Sequence, residues 1–335
     1  MDPRKRRFPI LRVDNLVFRK IISNIAPYDL VSFAQSSRRY QRVIKANKSI
    51  FQHLNIAIIC HENNPAGLEL SFIDYSGEDD ESEHSDDEND ENQDLHTKTE
   101  IGEKKPMSTE ASILYFDFFV DLLIKDNIIS YVSIFDWTGD LIKIFDWIST
   151  RQESVKKFEL YMNHIKDSDL NHFFAIVKVT DKLEMNVLPS LEYRAQCYQQ
   201  LDTIDCQNVF WWRLEHFLMF DCKKIMLEDT HLTNDNIVWL LECWLDGSGL
   251  KILKNMAIDG NNLNRSIIVS KVKHILLDRK AISAMSGSVI TEIANGGAVI
   301  ERSDGVKAVI PFIQPGRVPI RQFELYVLDK PNKHE

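Results

Sequence analysis

Two stretches of this chain repeat one pattern at an offset of 67 residues, and that recurrence restricts the fold more than any other feature. KKFELYMNHIKDSDLNHFF starts at Lys156 and KKIMLEDTHLTNDNIVWLL starts at Lys223. Each opens on a lysine pair and an alternating apolar run, which is the period of a strand with one face buried. Each then places a polar turn ahead of apolar residues at helical spacing. Strand-like runs of this kind begin near Tyr131, Lys156, Leu183, Asp202, Lys224 and Leu253, successive starts lying 19 to 29 residues apart. Helix-like stretches fill the gaps: TGDLIKIFDWIS, DSDLNHFFAIV, PSLEYRAQCYQ, FWWRLEHFLMF and TNDNIVWLLECW. Asp167 and Thr233 stand where helix caps are wanted. A strand–helix unit at this spacing predicts an irregular, leucine-rich-repeat-like solenoid with a parallel sheet. The competing architecture is a doubly wound sheet, but no glycine-rich phosphate loop follows the first strand.

The rest of the chain is organised around this core. At the C-terminal end, AVIERSDGVKAVIPFI is two alternating runs about Asp304-Gly305, a hairpin signal, and QFELYVL is a last strand. At the N-terminal end, Phe8 to Lys45 reads as three short helices. Val17, Phe18, Ile21, Ile22 and Ile25 share one face of the first, which Asp14 is placed to cap. Pro27 suits the first turn of the second, whose apolar stripe is Leu30, Phe33 and Ala34. Ser37 caps the third, which bears Tyr40, Val43 and Ile44. A piece of ~40 residues seldom buries a sufficient core alone, so these helices call for a partner. Two strand-like runs, LNIAII and LELSFI, follow, and a helical pattern resumes at Ser108.

Between them lies Glu78–Asp94, which holds eleven acidic residues and no Lys or Arg. Low apolar content and like-charge density predict a disordered insertion here. It also accounts for the formal net charge of −10, since the remainder of the chain is nearly neutral. A nearly neutral body does not suggest nucleic-acid binding, which normally requires a basic face. No apolar run is long enough for a membrane span, and no signal core follows the basic start, so a soluble chain of the cytoplasm or nucleus is expected. Five cysteines without a Cys-x-x-Cys pair predict reduced, buried thiols rather than disulfides or a zinc site. No G-x-S-x-G, H-E-x-x-H or Walker pattern is present, so no catalytic residue, metal or cofactor is assigned. His164 and His231 occupy equivalent turn positions and are expected at the surface. Trp211, Trp212, Trp239 and Trp244 are expected in the core.

Two segments carry a family resemblance. Phe8–Lys45 resembles an F-box, through its apolar-proline opening, the Ile21-Ile22 pair, Pro27 and Leu30, and SSRRYQRV, in which Tyr40 stands for the family's Trp. Val13-Asp14 occupies the place of the family's Leu-Pro. LEHFLMFDCKKIMLEDTHLTNDNIVWLLECWLDG, from Leu214 to Gly247, looks like the F-box-associated domain of the second nematode type. Together the two imply the substrate receptor of an SCF-type ubiquitin ligase, a non-catalytic subunit that docks on a Skp-type adaptor and through it on a cullin. The adaptor-binding residues implied are Pro9, Val17, Phe18, Ile21, Ile22, Pro27, Leu30, Phe33 and Tyr40. The alternative is a protein-interaction scaffold in which the N-terminal helices merely cap the solenoid.

The expected fold is therefore of the α+β or α/β class. An F-box spans 8–50, a strand pair 51–75, an acidic loop 76–107 and a substrate-binding F-box-associated domain 108–328. Within that domain Phe158, Leu160, Ile225 and Leu227 are the apolar alternates and should be buried. Lys157, Glu159 and Tyr161, with Lys224, Met226 and Glu228, should then stand on the open face and hold an unknown target protein.

Overall fold

The structure is a computed structural model and describes residues 20, 25, 27–48, 54–59, 69–74, 108–124, 128–194, 199–260, 263–285, 293, 295–312 and 322–328. The chain divides into two compact units, 1–147 and 148–335. Pro9, Val17, Phe18, Ile21 and Ile22 lie outside the described residues, as does the acidic tract.

In the first unit, helix α1 (Pro27–Ser36) and helix α2 (Arg38–Ala46) start where Pro27 and Ser37 predict. Pro27 opens α1, where a missing N–H costs nothing. Ser37 caps α2, its hydroxyl accepting from Arg39 N at 3.3 Å. An antiparallel pair follows, β1 (Leu54–Ile59) with β2 (Glu69–Asp74). Helix α3 (Thr109–Leu123) starts at a Ser108 cap, and α1 and α2 both pack against it. The two N-terminal helices thus find a partner inside their own chain. Strand β3 (Tyr131–Phe135) and helix α4 (Leu141–Arg151) complete the sequence of elements up to the boundary region. Trp147 Nε1 donates to Asp117 Oδ1 at 2.7 Å, tying α4 to α3.

The second unit begins with the strand–helix units proper. They are β4 (Val155–Met162), α5 (Asp167–Ile176) and β5 (Val179–Val187), then the short β6 (Gln199–Gln200) and β7 (Thr203–Gln207). Next come α6 (Leu214–Met219), the short β8 (Phe220–Asp221), β9 (Lys224–Thr230), α7 (Asn234–Asp246) and β10 (Asn255–Gly260). β4, β5, β7, β9 and β10 lie side by side in that order, all parallel. Sequential parallel order is the arrangement expected of stacked repeats.

Beyond β10 the pattern changes. Helices α8 (Arg265–Lys271) and α9 (Arg279–Met285) flank β11 (Ile275–Leu277), and none of the three was read from the sequence. β12 (Gly297–Glu301) and β13 (Lys307–Pro311) form the expected hairpin, with Gly305 at φ 83° in its turn. β14 (Phe323–Val327) inserts between β13 and β10, and every pairing from β10 to β11 is antiparallel. Half of this open sheet is therefore repeat-like and half is a meander.

One predicted element is corrected. PSLEYRAQCYQ was expected as a helix, yet its described residues 189–194 are non-helical with a turn at 191–192, and Gln199 belongs to β6. Pro189 removes a donor, and Asp167 at the start of α5 captures Ser190 through both its N, at 2.9 Å, and its Oγ, at 2.6 Å. Tyr193 Oη donates to Asn171 on the same helix at 3.0 Å. These contacts across sequence override a modest local helical preference.

The core follows the alternation. Phe158, Leu160, Leu183, Met185, Ile204, Cys206, Ile225, Leu227, Met256 and Ile258 are all buried on one sheet face. Phe158 meets Phe173 of α5 with ring centroids 4.9 Å apart, and the aromatic packing runs on through Phe174, Trp211 and Trp212. Trp244 is buried under Arg302, whose guanidinium carbon sits 5.3 Å from the ring centroid. Trp239 departs from expectation at 36 % exposed, because it lies on the outer side of α7. His164 and His231 are exposed, as their turn positions imply.

Candidate functional site

The opposite face of the parallel block is polar, and strand register organises it into rows. Parallel pairing sets Lys157 beside Lys182, Lys182 beside Thr203, and Thr203 beside Lys224. Two residues along each strand, Glu159, Glu184, Asp205 and Met226 make a second row. Tyr161, Asn186 and Gln207 make a third. Neighbouring strands lie ~4.8 Å apart, so an uncompensated row of three carboxylates would be destabilising. The lysine row supplies the compensation. Lys157 Nζ is 3.3 Å from Glu159 Oε1, and Lys182 Nζ is 2.6 Å from Glu184 Oε2.

Tyr161 joins the rows by donating its hydroxyl hydrogen to Glu184. Burial, reinforced by the Glu184 carboxylate, raises the Tyr161 phenol well above its ordinary range. Burial alone would raise the Glu184 carboxyl, but hydrogen bonds from Lys182 and Tyr161 outweigh it and the group is held below its ordinary value. In the amide row, Asn186 Nδ2 donates to Gln207 Oε1 at 2.8 Å and Asn208 Nδ2 donates to Asn186 Oδ1 at 2.7 Å. Such linked amides hold the side chains in one arrangement.

Of the six residues assigned to the open face, Lys157, Tyr161, Lys224, Met226 and Glu228 are half-buried. Glu159 is a correction, being buried at 9 % exposed rather than displayed. Its carboxylate is turned into the rows toward Lys157, where pairing offsets the loss of hydration. Lys182, Glu184, Asn186, Asp205 and Gln207 belong to the same face and were missed. The signal was there in the alternating LEMNV and TIDC, from the two strands between the matching repeats.

Among the adaptor-face residues that are described, Leu30 is 1 % exposed and its side chain serves the first unit's own core. Phe33 is 39 % exposed and Tyr40 half-buried, their ring centroids 5.9 Å apart. Pro27 is placed at the start of α1.

Cys206, Cys222 and Cys243 are buried free thiols, and burial with the nearby Asp221 and Asp202 pushes Cys222 up to about 12. That thiol stays protonated and poorly nucleophilic at neutral pH. Among the described residues no group of three or more His, Cys, Asp or Glu side chains could hold a metal ion. No helix among them is long and apolar enough to cross a membrane.

No curated protein and no solved structure matches the chain. Residues 192–258, which run from the turn before β6 to β10, match the family described as F-box associated, so an F-box-associated type of domain occupies the middle of the second unit.

Proposed function

We propose that this chain is the substrate-recognition subunit of an SCF-type ubiquitin ligase, non-catalytic and acting in the cytoplasm or nucleus. Its N-terminal segment would dock on a Skp-type adaptor, and through it on a cullin. Its F-box-associated domain, of the second nematode type, would hold a target protein on the polar face of β4, β5, β7 and β9. The observation that carries this reading is the F-box-associated match at 192–258 in a chain whose N-terminal residues resemble an F-box. The exposed Phe33 of α1, packed against the half-buried Tyr40 of α2, supports it, since aromatic side chains at the surface are common interface anchors.

Co-precipitation with a Skp-type adaptor tests the reading. The wild-type chain is expected to bring the adaptor down, and Ile21→Asp with Ile22→Asp is expected to abolish the interaction. Two carboxylates forced into an apolar interface cost several kcal/mol each. Adaptor binding that survives the double substitution removes the assignment. One observation favours the scaffold reading instead: α1 and α2 already pack on α3, with Leu30, Val31, Ala34 and Ile44 buried. Under that reading the wild-type chain brings down no adaptor at all.

A further inference from the structure

We infer that a cavity at the carboxyl ends of β5, β7 and β9 binds an oxyanion carried on a peptide side chain. The cavity has a volume of about 540 Å3. Three loops shape it, those following β5, β7 and β9, and these strands are adjacent in the sheet. The crevice beyond the carboxyl ends of parallel strands is where open α/β sheets receive ligands, because the loops there are free of the ladder. The volume falls in the range of ordinary ligand cavities, roughly 300–1,000 Å3, and suits a single side chain with its neighbours.

Charge selects the ligand. Arg194 and Arg213 both line the cavity, and among the described residues neither has a carboxylate within ion-pairing distance. Two exposed guanidiniums around one cavity present fork-shaped donors that match carboxylate or phosphoryl oxygens. A hydrogen bond fixes the backbone of Arg213 and another holds the side chain of Arg194. Arg213 N donates to His216 Nδ1 at 2.8 Å, and Arg194 Nη1 donates to the Tyr193 carbonyl at 2.6 Å. Glu215 also lines the cavity and opposes an anion, so the net field comes from the arginines against one carboxylate. Phe210 and Trp212 supply aromatic wall for the apolar stem of the ligand.

All of these residues fall inside the segment matched to the F-box-associated family, so a peptide source for the oxyanion rests on the substrate-receptor reading. The polar face beneath would hold the rest of the target, and the cavity would select for an acidic or phosphorylated residue.

Calorimetry on the purified full chain tests this without any adaptor. The probes are N-acetyl-O-phosphotyrosine amide, N-acetyl-O-phosphoserine amide and N-acetylglutamate amide, with N-acetyltyrosine amide as the uncharged control. At least one anionic probe is expected to bind, and the tightest of the three identifies the source of the oxyanion. Arg194→Gln and Arg213→Gln are each expected to weaken it about 10- to 100-fold, the worth of one charge-assisted hydrogen bond. Glu215→Gln is expected to tighten it. Thermal midpoints of all three variants should equal the wild type's, because the substituted side chains are exposed. Equal binding of the uncharged control, unchanged affinity in the arginine variants, or no binding by any anionic probe overturns the inference. Probe binding with failed adaptor capture removes the ligase reading and leaves the cavity. Adaptor capture without probe binding does the reverse.

Discussion

Tyr161 and Glu184 show how single residues set the behaviour of the polar face. The phenol of one strand donates to the carboxylate of the next, and Lys182 completes the arrangement. The Glu184 carboxyl is held below its ordinary 4.5, so its contribution to stability is present above that pH and is lost as pH falls through the lowered folded value. The Tyr161 phenol is raised above its ordinary 10.0, so its contribution is present below that pH and is lost only as pH rises through the raised folded value. Tyr161→Phe is therefore expected to cost about 1.5–3 kcal/mol at neutral pH, the worth of a hydrogen bond to a charged acceptor. Glu184→Gln should flatten the acid side of the stability profile below pH 4.5, and urea midpoints across pH check both. If Glu184→Gln keeps the wild-type acid dependence, the pairing does not exist in solution.

At the scale of one element, α7 is specified at both ends by local chemistry. Thr233 Oγ1 accepts from Asn236 N at 3.3 Å while Asn236 Oδ1 accepts from Thr233 N at 2.9 Å, a reciprocal cap. Gly247 ends the helix in the left-handed region at φ 77°, with open space where a Cβ would stand. Thr233→Ala is expected to cost about 1 kcal/mol through the lost cap. Gly247→Ala is expected to cost about 1 kcal/mol through backbone conformation alone, since no atom is near enough to clash. The two sites lie about 20 Å apart along the helix, so the double variant should show the sum. Thermal denaturation that departs from additivity would show that the helix ends are coupled through its packed face. The N-terminal boundary of this helix was legible from Thr233 alone. Residues 189–194 were not legible, because Asp167 and Asn171 of a preceding helix hold Ser190 and Tyr193.

For the whole molecule, the distribution of charge is the property most open to test. Deleting Glu78–Asp94 removes eleven negative charges and takes the formal net charge from −10 to +1. Shortening a connection changes closure entropy by only ~1 kcal/mol, and removing like charges relieves repulsion. The shortened chain is expected to unfold at the same temperature as the full one or higher. A fall of more than a few degrees by calorimetry would show that the tract contributes packed structure.

Alternation was enough to place Phe158, Leu160, Ile225 and Leu227 in the core, Ser37 and Thr233 to start α2 and α7, Pro27 to start α1, and apolar periodicity from Ser108 to start α3. These features depend on periods of two and 3.6 residues and on contacts three or four residues apart, which a sequence displays directly. The resemblance of Leu214–Gly247 to an F-box-associated domain was likewise carried by residues close together, and the family match at 192–258 contains it. Tertiary structure alone decided that β14 enters between β13 and β10, so that the parallel block passes into an antiparallel one. It also decided that Glu159 turns inward, that Leu30 serves the core of its own unit, and that Arg194 and Arg213 border one cavity. Each of these depends on which distant segments become neighbours. Hydrogen bonding and burial settle that jointly over the whole chain, and no local period records the outcome.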